Sequence, residues 1–531
     1  MTDLKSLTDE ILMQEEVLRQ GGGPKGVERQ KRLNRLPVRE RLDLLLDKNA
    51  PFFELGLWAG YQMYERWGGI PAAGVVCGTG RVANRNVMII ANDATVSAGA
   101  LFPQSVKKVL RAQCIAYNCR LPIVYLVDSA GVFLPLQDEV FPDENDFGRI
   151  FRNNSVLSAA GIPQLAAIMG NCIAGGAYLP VLCDKLLMTR GSALSIAGPA
   201  LVKSAIGQEV DSDSLGGSKM HSEISGTVDF EEADDPSCIR RLRALIEHLP
   251  EDKHQGNERS PELDPAGFYQ LVGANGRNEY EAMALLKGIA DAGSISEYKA
   301  GYGKTIVCCF ARLNDIPVGM LANQRHQTKT GRGEIELGGV LYSESADKAA
   351  RFVLNCNQDR IPLLFFHDVM GFMVGKSAEE SGIIRRGAKL VNAVSNSIVP
   401  KITVIVGSSF GAGHYAMCGK AYDPDFILAW PNARYAVMGA EQAAETLIGL
   451  RRRAAERTGK IFGEEDARAF REEIRNSYLN QMDIRYGAAR GWVDAIIAPH
   501  KTRNVLIHLL ELVSRRPIPE ASSFHTGIFQ V

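Results

Sequence analysis

Apolar positions in this chain follow two rhythms. From about Gly69 onward, short unbroken apolar runs bounded by Gly, Pro or Asp alternate with stretches of helical spacing. The runs NVMIIAND, LPIVYLVDSAG, IPQLAAIMG and DKLLMT predict strands, with PQSVKKVLRAQCIAYN and FGRIFRNNSVLSAAG as helices between them. The same alternation resumes in GKTIVCCFARL, IPVGMLAN, IPLLFFHDV, KITVIVG and DFILAW. Short strands alternating with helices make the expected class α/β. Before Gly69 the pattern predicts a helix at EILMQEEVLRQ, a break at the basic loop GGGPKG, and a second helix at VRERLDLLLD. KTRNVLIHLLELVSRR near the end predicts an amphipathic helix. HLPEDKHQGNERSPELDP, residues 248–265, is polar and proline-bearing and reads as a linker. It divides the chain into expected domains at 1–262 and 263–531.

The two halves repeat each other. RLPIVYLVDSAG pairs with RIPLLFFHDVMG, which places Arg120 on Arg360, Asp128 on Asp368 and Gly131 on Gly371. A helix follows in each, and then GNCIAGGAY (170–178) pairs with GSSFGAGHY (407–415). The offset is 240 residues in the first stretch and 237 in the second, a slightly shorter connection. Repetition over this length implies a duplicated domain.

The repeated small-residue stretch stands where a strand hands over to a helix. Small residues there allow close strand–helix packing; they also let a ligand approach the backbone, where helix-start amides lack intrahelical partners. Aimed at a carbonyl oxygen, such amides form an oxyanion hole suited to an enolate. One copy alone favours packing, whereas two copies at matched positions favour function. GSSFG also fits the G-x-S-x-G nucleophile elbow, with Ser409 attacking and a His such as His500 or His508 assisting. Its first-half partner, however, carries Cys172 and Ala174 at the serine and second glycine positions. GFMVGKS is one residue short of a phosphate-binding P-loop, which leaves Lys376 as a phosphate contact or a solvated surface group. Asp128 and Asp368, each ending an apolar run, read better as caps on adjacent backbone amides than as general bases.

Composition narrows the options. Lys plus Arg total 60 and Asp plus Glu 61, so no basic field attracts nucleic acid or an anionic membrane. The ten cysteines include no C-x-x-C pair, and most fall in apolar runs, as reduced buried thiols do. No apolar run is long enough to span a bilayer. The acidic start resembles neither a secretory signal nor a mitochondrial presequence, which implies a cytoplasmic protein, or a matrix protein only as a processed form.

The chain resembles the β (carboxyltransferase) subunits of biotin-dependent acyl-CoA carboxylases. The resemblance rests on ANDATVSAG, DSAGVFLPLQDEVFPDENDFGRIFRN, GNCIAGGAYLP, LGGSKMHSEISGTVDF, GFMVGKSAEESGIIRRGAKLVNAV, GSSFGAGHYAMCGKAYDPDF and WPNARYAVMGAEQAA, and covers nearly the whole chain. LPLQDEVFPD–FGRIF and FGAG–YxMCGxAY are most similar to the methylcrotonoyl-CoA branch. The resemblance implies two crotonase-like domains and transfer of a carboxyl group from carboxybiotin to an acyl-CoA, 3-methylcrotonyl-CoA foremost. Propionyl-CoA, geranyl-CoA or other acyl-CoA, a related decarboxylase, a crotonase-type hydratase and a Ser409 hydrolase stand as alternatives. Gly175 and Gly176 match the family's first oxyanion hole, for the thioester enolate. Ala412 and Gly413 match the second, for the biotin ureido carbonyl. Ala130, Gly131, Val132, Phe133, Ala174, Ala177 and Tyr178, with Phe410, His414 and Tyr415, fall around these holes as implied substrate-binding positions. Val132, Phe133, His414 and Ala416 are bulkier than is usual in the family. CoA would bind the first half and biotin the second, with no metal. No A-M-K-M biotinylation motif occurs, so biotin would come on an α subunit bearing biotin carboxylase and carrier. The implied assembly is a β-subunit hexamer.

Overall fold

The computed structural model describes residues 3–249, 259–274, 278–331, 333–459, 462–518 and 527. Residues 250–258 of the expected linker lie outside the described residues. The chain divides into two compact units, one of Leu12–His254 with Ala489–Gly491, the other of Met1–Ile11, Gln255–Ala488 and Trp492–Val531.

In the first unit the strands are β1 (Phe53–Leu55), β2 (Val75–Val82), β3 (Arg85–Asn92), β4 (Ile123–Ser129), β5 (Gln164–Ile173), β6 (Lys185–Thr189), β7 (Ala193–Ser195) and β8 (Phe230–Glu232). Their order is β1-β2-β3-β4-β5-β6-β8, with β7 beside β5. The second unit contains β9 (Ser296–Tyr298), β10 (Ile306–Leu313), β11 (Ile316–Asn323), β12 (Thr328–Lys329), β13 (Ile335–Glu336), β14 (Val340–Leu341), β15 (Leu363–Val369), β16 (Gly371–Phe372), β17 (Lys401–Phe410), β18 (Phe426–Ala429), β19 (Arg434–Ala436) and β20 (Ala495–Ile496). Its main sheet runs β9-β10-β11-β15-β17-β18-β20 with β19 beside β17, while β12–β13 and β14–β16 form separate ribbons. The two main sheets share one topology. In each, two antiparallel pairings lead into parallel strands.

The duplication extends to single contacts. Ile123 lies opposite Gln164, and Leu363 opposite Lys401, so the sheet register reproduces both sequence offsets. The central strands β4 and β15 are buried along their whole length, which explains why they read as unbroken apolar runs. The helices Pro103–Asn118 and Ser343–Gln358 both start with a serine accepting from a backbone amide: Ser105 from Phe102 at 3.0 Å, Ser345 from Tyr342 at 2.8 Å. Each helix also buries a lysine that donates to a backbone carbonyl at 2.9 Å, Lys108 to Ala72 and Lys348 to Ile306.

GGGPKG differs from its expectation. Its break is brief, and the helix Gly23–Arg32 starts within it, with Pro24 in the first turn, where a missing N–H costs nothing. Two long helices, Ala440–Arg457 and Glu464–Met482, are largely polar and carry no apolar run to announce them. Arg471–Glu445 and Arg475–Glu441 pairs at 2.7 and 2.6 Å join them.

Candidate active site

Both small-residue stretches lie at the ends of buried strands, β5 and β17, where the chain turns into a short helical segment. The first turn is Ala174–Ala177, leading to Tyr178–Val181; the second is the helix Gly411–Ala416. Ala174 has φ 62° and its repeat partner Gly411 has φ 55°. The left-handed step at this position is therefore common to both halves, strained where it is alanine and relaxed where it is glycine.

A second loop meets each turn. After β4 and β15 the chain passes through Gly131 and Gly371, with φ 90° and 121°. A Cβ built on Gly176 would find only Gly131 Cα, at 3.9 Å, within reach; one on Gly413 would meet Gly371 Cα at 3.2 Å and Val369 Cγ2 at 2.6 Å. Gly176 is thus free of any steric demand from its own chain, whereas Gly413 is held by packing. Gly175 lies in the first turn, and its surroundings are outside the described residues.

Asp128 and Asp368 do cap amides, but amides of the neighbouring strand rather than ones adjacent in the chain. Asp128 Oδ1 accepts from Asn171 N at 3.2 Å, and Asp368 Oδ1 from Ser408 N at 2.8 Å. The amides of the two aspartates donate in turn to the Asn92 and Asn323 side chains. A Cβ on Gly170 or Gly407 would overlap these carboxylates, which accounts for the glycine that opens each stretch. Both strand pairs shift register beside the aspartates. The counter-ions differ: Arg41 Nη2 lies 3.4 Å and Arg35 Nη1 3.6 Å from Asp128, while Arg325 Nε lies 3.2 Å from Asp368, which also accepts from Tyr280 at 3.1 Å. Burial raises both carboxyls above their usual range, against the pull of the arginines. Enclosed and fully engaged, neither reaches a substrate as a base.

The remaining positions fall at different depths. Ala130, Ala174, Tyr178, Ala412 and Tyr415 are exposed; Val132, Phe133, Gly176 and His414 are half-buried; Gly131, Ala177, Phe410 and Gly413 are buried. Val132 bridges to Leu101, and Phe133 stacks on Phe102 at 4.1 Å with Trp67 edge-on at 5.5 Å. The Phe133 side chain is therefore fixed by aromatic packing beside the first turn.

Ser409 is 1 % exposed, and its oxygen is shared by two imidazoles: His367 Nδ1 at 2.9 Å and His414 Nδ1 at 2.8 Å. His500, a sequence candidate for this serine's partner, instead bonds Tyr269. Enclosure removes Ser409 as a nucleophile. Burial also pushes the Cys172 thiol up to about 12, so the first-half counterpart is a neutral thiol. Lys376 is exposed and lies 3.7 Å from Glu380, a surface ion pair. Among the described residues no cluster of His, Cys, Asp or Glu is placed to hold a metal ion.

Two similar sheet-rich halves, each with a buried strand that turns into a short helical segment, are the architecture of the crotonase-like carboxyltransferases. Comparison with known proteins makes the assignment specific. The carboxyl transferase domain matches residues 29–527. The biotin-dependent 3-methylcrotonyl-coenzyme A carboxylase β1 subunit of Mycobacterium tuberculosis is 42 % identical over 516 residues, covering 96 % of this chain and 94 % of that one. The mitochondrial methylcrotonoyl-CoA carboxylase β chain of Arabidopsis thaliana is 40 % identical over 522 residues, covering 96 % and 86 %. The crystal structure of the P. aeruginosa geranyl-CoA carboxylase β subunit superposes with a TM-score of 0.85 at 31 % identity, over 99 % of this chain and 96 % of that one. The chain belongs to the carboxyl transferase family, as a carboxyltransferase β subunit of the biotin-dependent acyl-CoA carboxylases.

Proposed function

We propose that this chain moves a carboxyl group between biotin and an acyl-CoA, and that the acyl group is 3-methylcrotonyl. The relatives from Mycobacterium tuberculosis and Arabidopsis thaliana, named for that thioester, support the acyl group. Geranyl-CoA is the runner-up, from the P. aeruginosa β subunit. The observation that carries the reading is Gly176: neither its backbone angle nor its surroundings demand glycine. A ligand held against the backbone does.

In this reading the amides of Gly175 and Gly176 hold the thioester oxygen as its charge grows, and those of Ala412 and Gly413 polarise the ureido carbonyl. Biotin, when bound, supplies the carboxyl group that is moved. The chain's part is to orient both partners and exclude water. Val132 and Phe133 border the acyl group, Ala130, Ala174 and Tyr178 line its approach, and Tyr415 lies at the biotin approach. Buried Gly131, Ala177 and Phe410 shape the turns from behind. CoA sits on the first half. The carrier is an α subunit bearing biotin carboxylase, and the setting is the bacterial cytoplasm or the mitochondrial matrix. No helix among the described residues is long and apolar enough to cross a membrane.

The β subunits assemble as a hexamer, the first half of one chain facing the second half of another. Matched apolar side chains support this: Leu134 and Val374 are 77 % and 78 % exposed, Ile196 and Val437 70 % and 73 %, Tyr178 and Tyr415 51 % and 47 %. Each pair occupies equivalent positions in the repeat, and large apolar side chains this exposed in both halves suit a partner surface.

The test is transfer from 3-methylglutaconyl-CoA or methylmalonyl-CoA to free biotin by the purified chain, read as decarboxylated CoA product. Biotin-dependent turnover that prefers 3-methylglutaconyl-CoA supports the reading. Absence of both turnover and CoA binding overturns it.

A further inference from the structure

His367, Ser409 and His414 form a chain of hydrogen bonds with one possible polarity. His367 Nε2 meets the Met417 carbonyl, which can only accept, so the ring proton is on Nε2. Its Nδ1 is then bare and accepts a hydrogen bond from the Ser409 hydroxyl at 2.9 Å. Ser409 Oγ, its hydrogen spent, accepts from His414 Nδ1–H at 2.8 Å. The His414 ring lies against Gly419, where a Cβ would overlap Nε2, and Tyr435 meets it edge-on at 5.2 Å. Three elements are thereby tied in series: β15, β17 and the helix Gly411–Ala416.

The first half has nothing comparable. The repeat places Val127, Cys172 and Ala177 at these three positions, all apolar or nearly so. The polar trio is therefore confined to the half whose turn, in the reading above, faces biotin. Resting on that reading, we infer that His367, Ser409 and His414 are positioning residues for the second turn: they fix the Ala412 and Gly413 amides for the ureido carbonyl and leave the acyl-CoA turn untouched. His414 acts through the helix that carries it. Hydrogen bonds of fixed direction hold a helix against both sliding and rotation, which apolar packing alone does less well.

The experiment replaces the trio by its first-half equivalents, His367→Val, Ser409→Cys and His414→Ala, in the full chain. Steady-state transfer is measured with biotin and 3-methylglutaconyl-CoA varied in turn. The expected result is a loss of roughly tenfold to hundredfold in kcat/KM for biotin, the scale of a slightly misplaced reacting group, with CoA dissociation within twofold of wild type. Gly419→Ala is the second variant, since its φ of −64° suits alanine and the three atoms nearest its Cβ all belong to the His414 ring. It should show the same biotin-specific loss, and none further in a His414→Ala background. His414→Asn, which keeps one N–H for Ser409, should recover most of the biotin-side efficiency. An unchanged kcat/KM for biotin, or equal losses for both substrates with a lowered Tm, would overturn the inference while the carboxyl-transfer reading stands. A wild-type chain without biotin-dependent turnover overturns both.

Discussion

Gly176 and Gly413 occupy equivalent places in the two halves, yet alanine should affect them in opposite ways. A Cβ on Gly176 meets one carbon at 3.9 Å, an ordinary contact, and nothing else within 4 Å. Alanine also restricts the unfolded chain, so Gly176→Ala should leave stability unchanged or raise it by up to about 1 kcal/mol. A Cβ on Gly413 would stand 2.6 Å from Val369 Cγ2, about 1 Å inside the favourable separation of two carbons. Overpacking of this kind costs roughly 1–3 kcal/mol, so Gly413→Ala should melt several degrees lower. Activity should not follow stability. In the proposed reading the new methyl of Gly176→Ala stands in the path of the thioester oxygen, and losing one such donor costs about 10²–10³ in kcat. Calorimetry gives the first pair of numbers and the biotin transfer assay the second. A Gly176→Ala enzyme with wild-type kcat refutes the claim that Gly176 is kept bare for a ligand. A Gly176→Ala protein that melts below Gly413→Ala refutes the steric account.

Three further outcomes are expected. Asp368→Ala leaves Arg325 buried without its carboxylate and should cost about 3–5 kcal/mol in denaturant titration; a catalytic base would instead lose turnover at full stability. His367 and His414 are pushed by burial down to about 3 and about 4, against 6.5 when unfolded. Their folded forms bind protons less well, so their stability contribution is full above pH 6.5 and falls as the pH drops toward 4. Between pH 7 and pH 5 each should account for a loss of roughly 2 kcal/mol, and His367→Gln/His414→Asn should flatten that slope; an equally steep slope in the double variant would show that other groups set it. Leu134→Asp and Val374→Asp put a charge at these exposed apolar positions and should each lower the mass seen by light scattering while circular dichroism is retained; a full-size oligomer from both variants counts against the proposed assembly.

The duplication was legible because it lies in local, contiguous stretches: apolar strand, terminal aspartate, small-residue turn. The capping role of Asp128 and Asp368 was legible only in part: a carboxylate ending an apolar run read as a cap, but the amides it caps, Asn171 and Ser408, stand 43 and 40 residues on in the neighbouring strand. Their counter-ions were not. Arg41 and Arg35 precede the first sheet, Arg325 follows β11, and no repeat links them, because any cation reaching the buried carboxylate satisfies the same Coulomb requirement. GSSFG suggested the wrong partners for Ser409: motif spacing pointed downstream to His500 or His508, whereas the fold supplies His367 and His414. The signal was present in the aligned halves, where all three polar positions answer to Val127, Cys172 and Ala177. The helix pair Ala440–Arg457 and Glu464–Met482 escaped notice because ion pairs across polar faces leave no apolar period to read.

The unequal counter-ions bear on how the protein could be cut. The repeating segment alone would not make an independent module. Excised from β1 to β8, it would keep Asp128 but lose Arg35 and Arg41, and with Arg41 the 2.8 Å pair to Asp235. One uncompensated buried carboxylate, at about 3–5 kcal/mol, consumes much of the 5–15 kcal/mol that holds a domain folded. A fragment meant to fold must therefore begin before Arg35 and run past Asp235; its second-half counterpart must begin before Tyr280, to keep the phenol on Asp368. The unit that was copied is shorter than the unit that can fold.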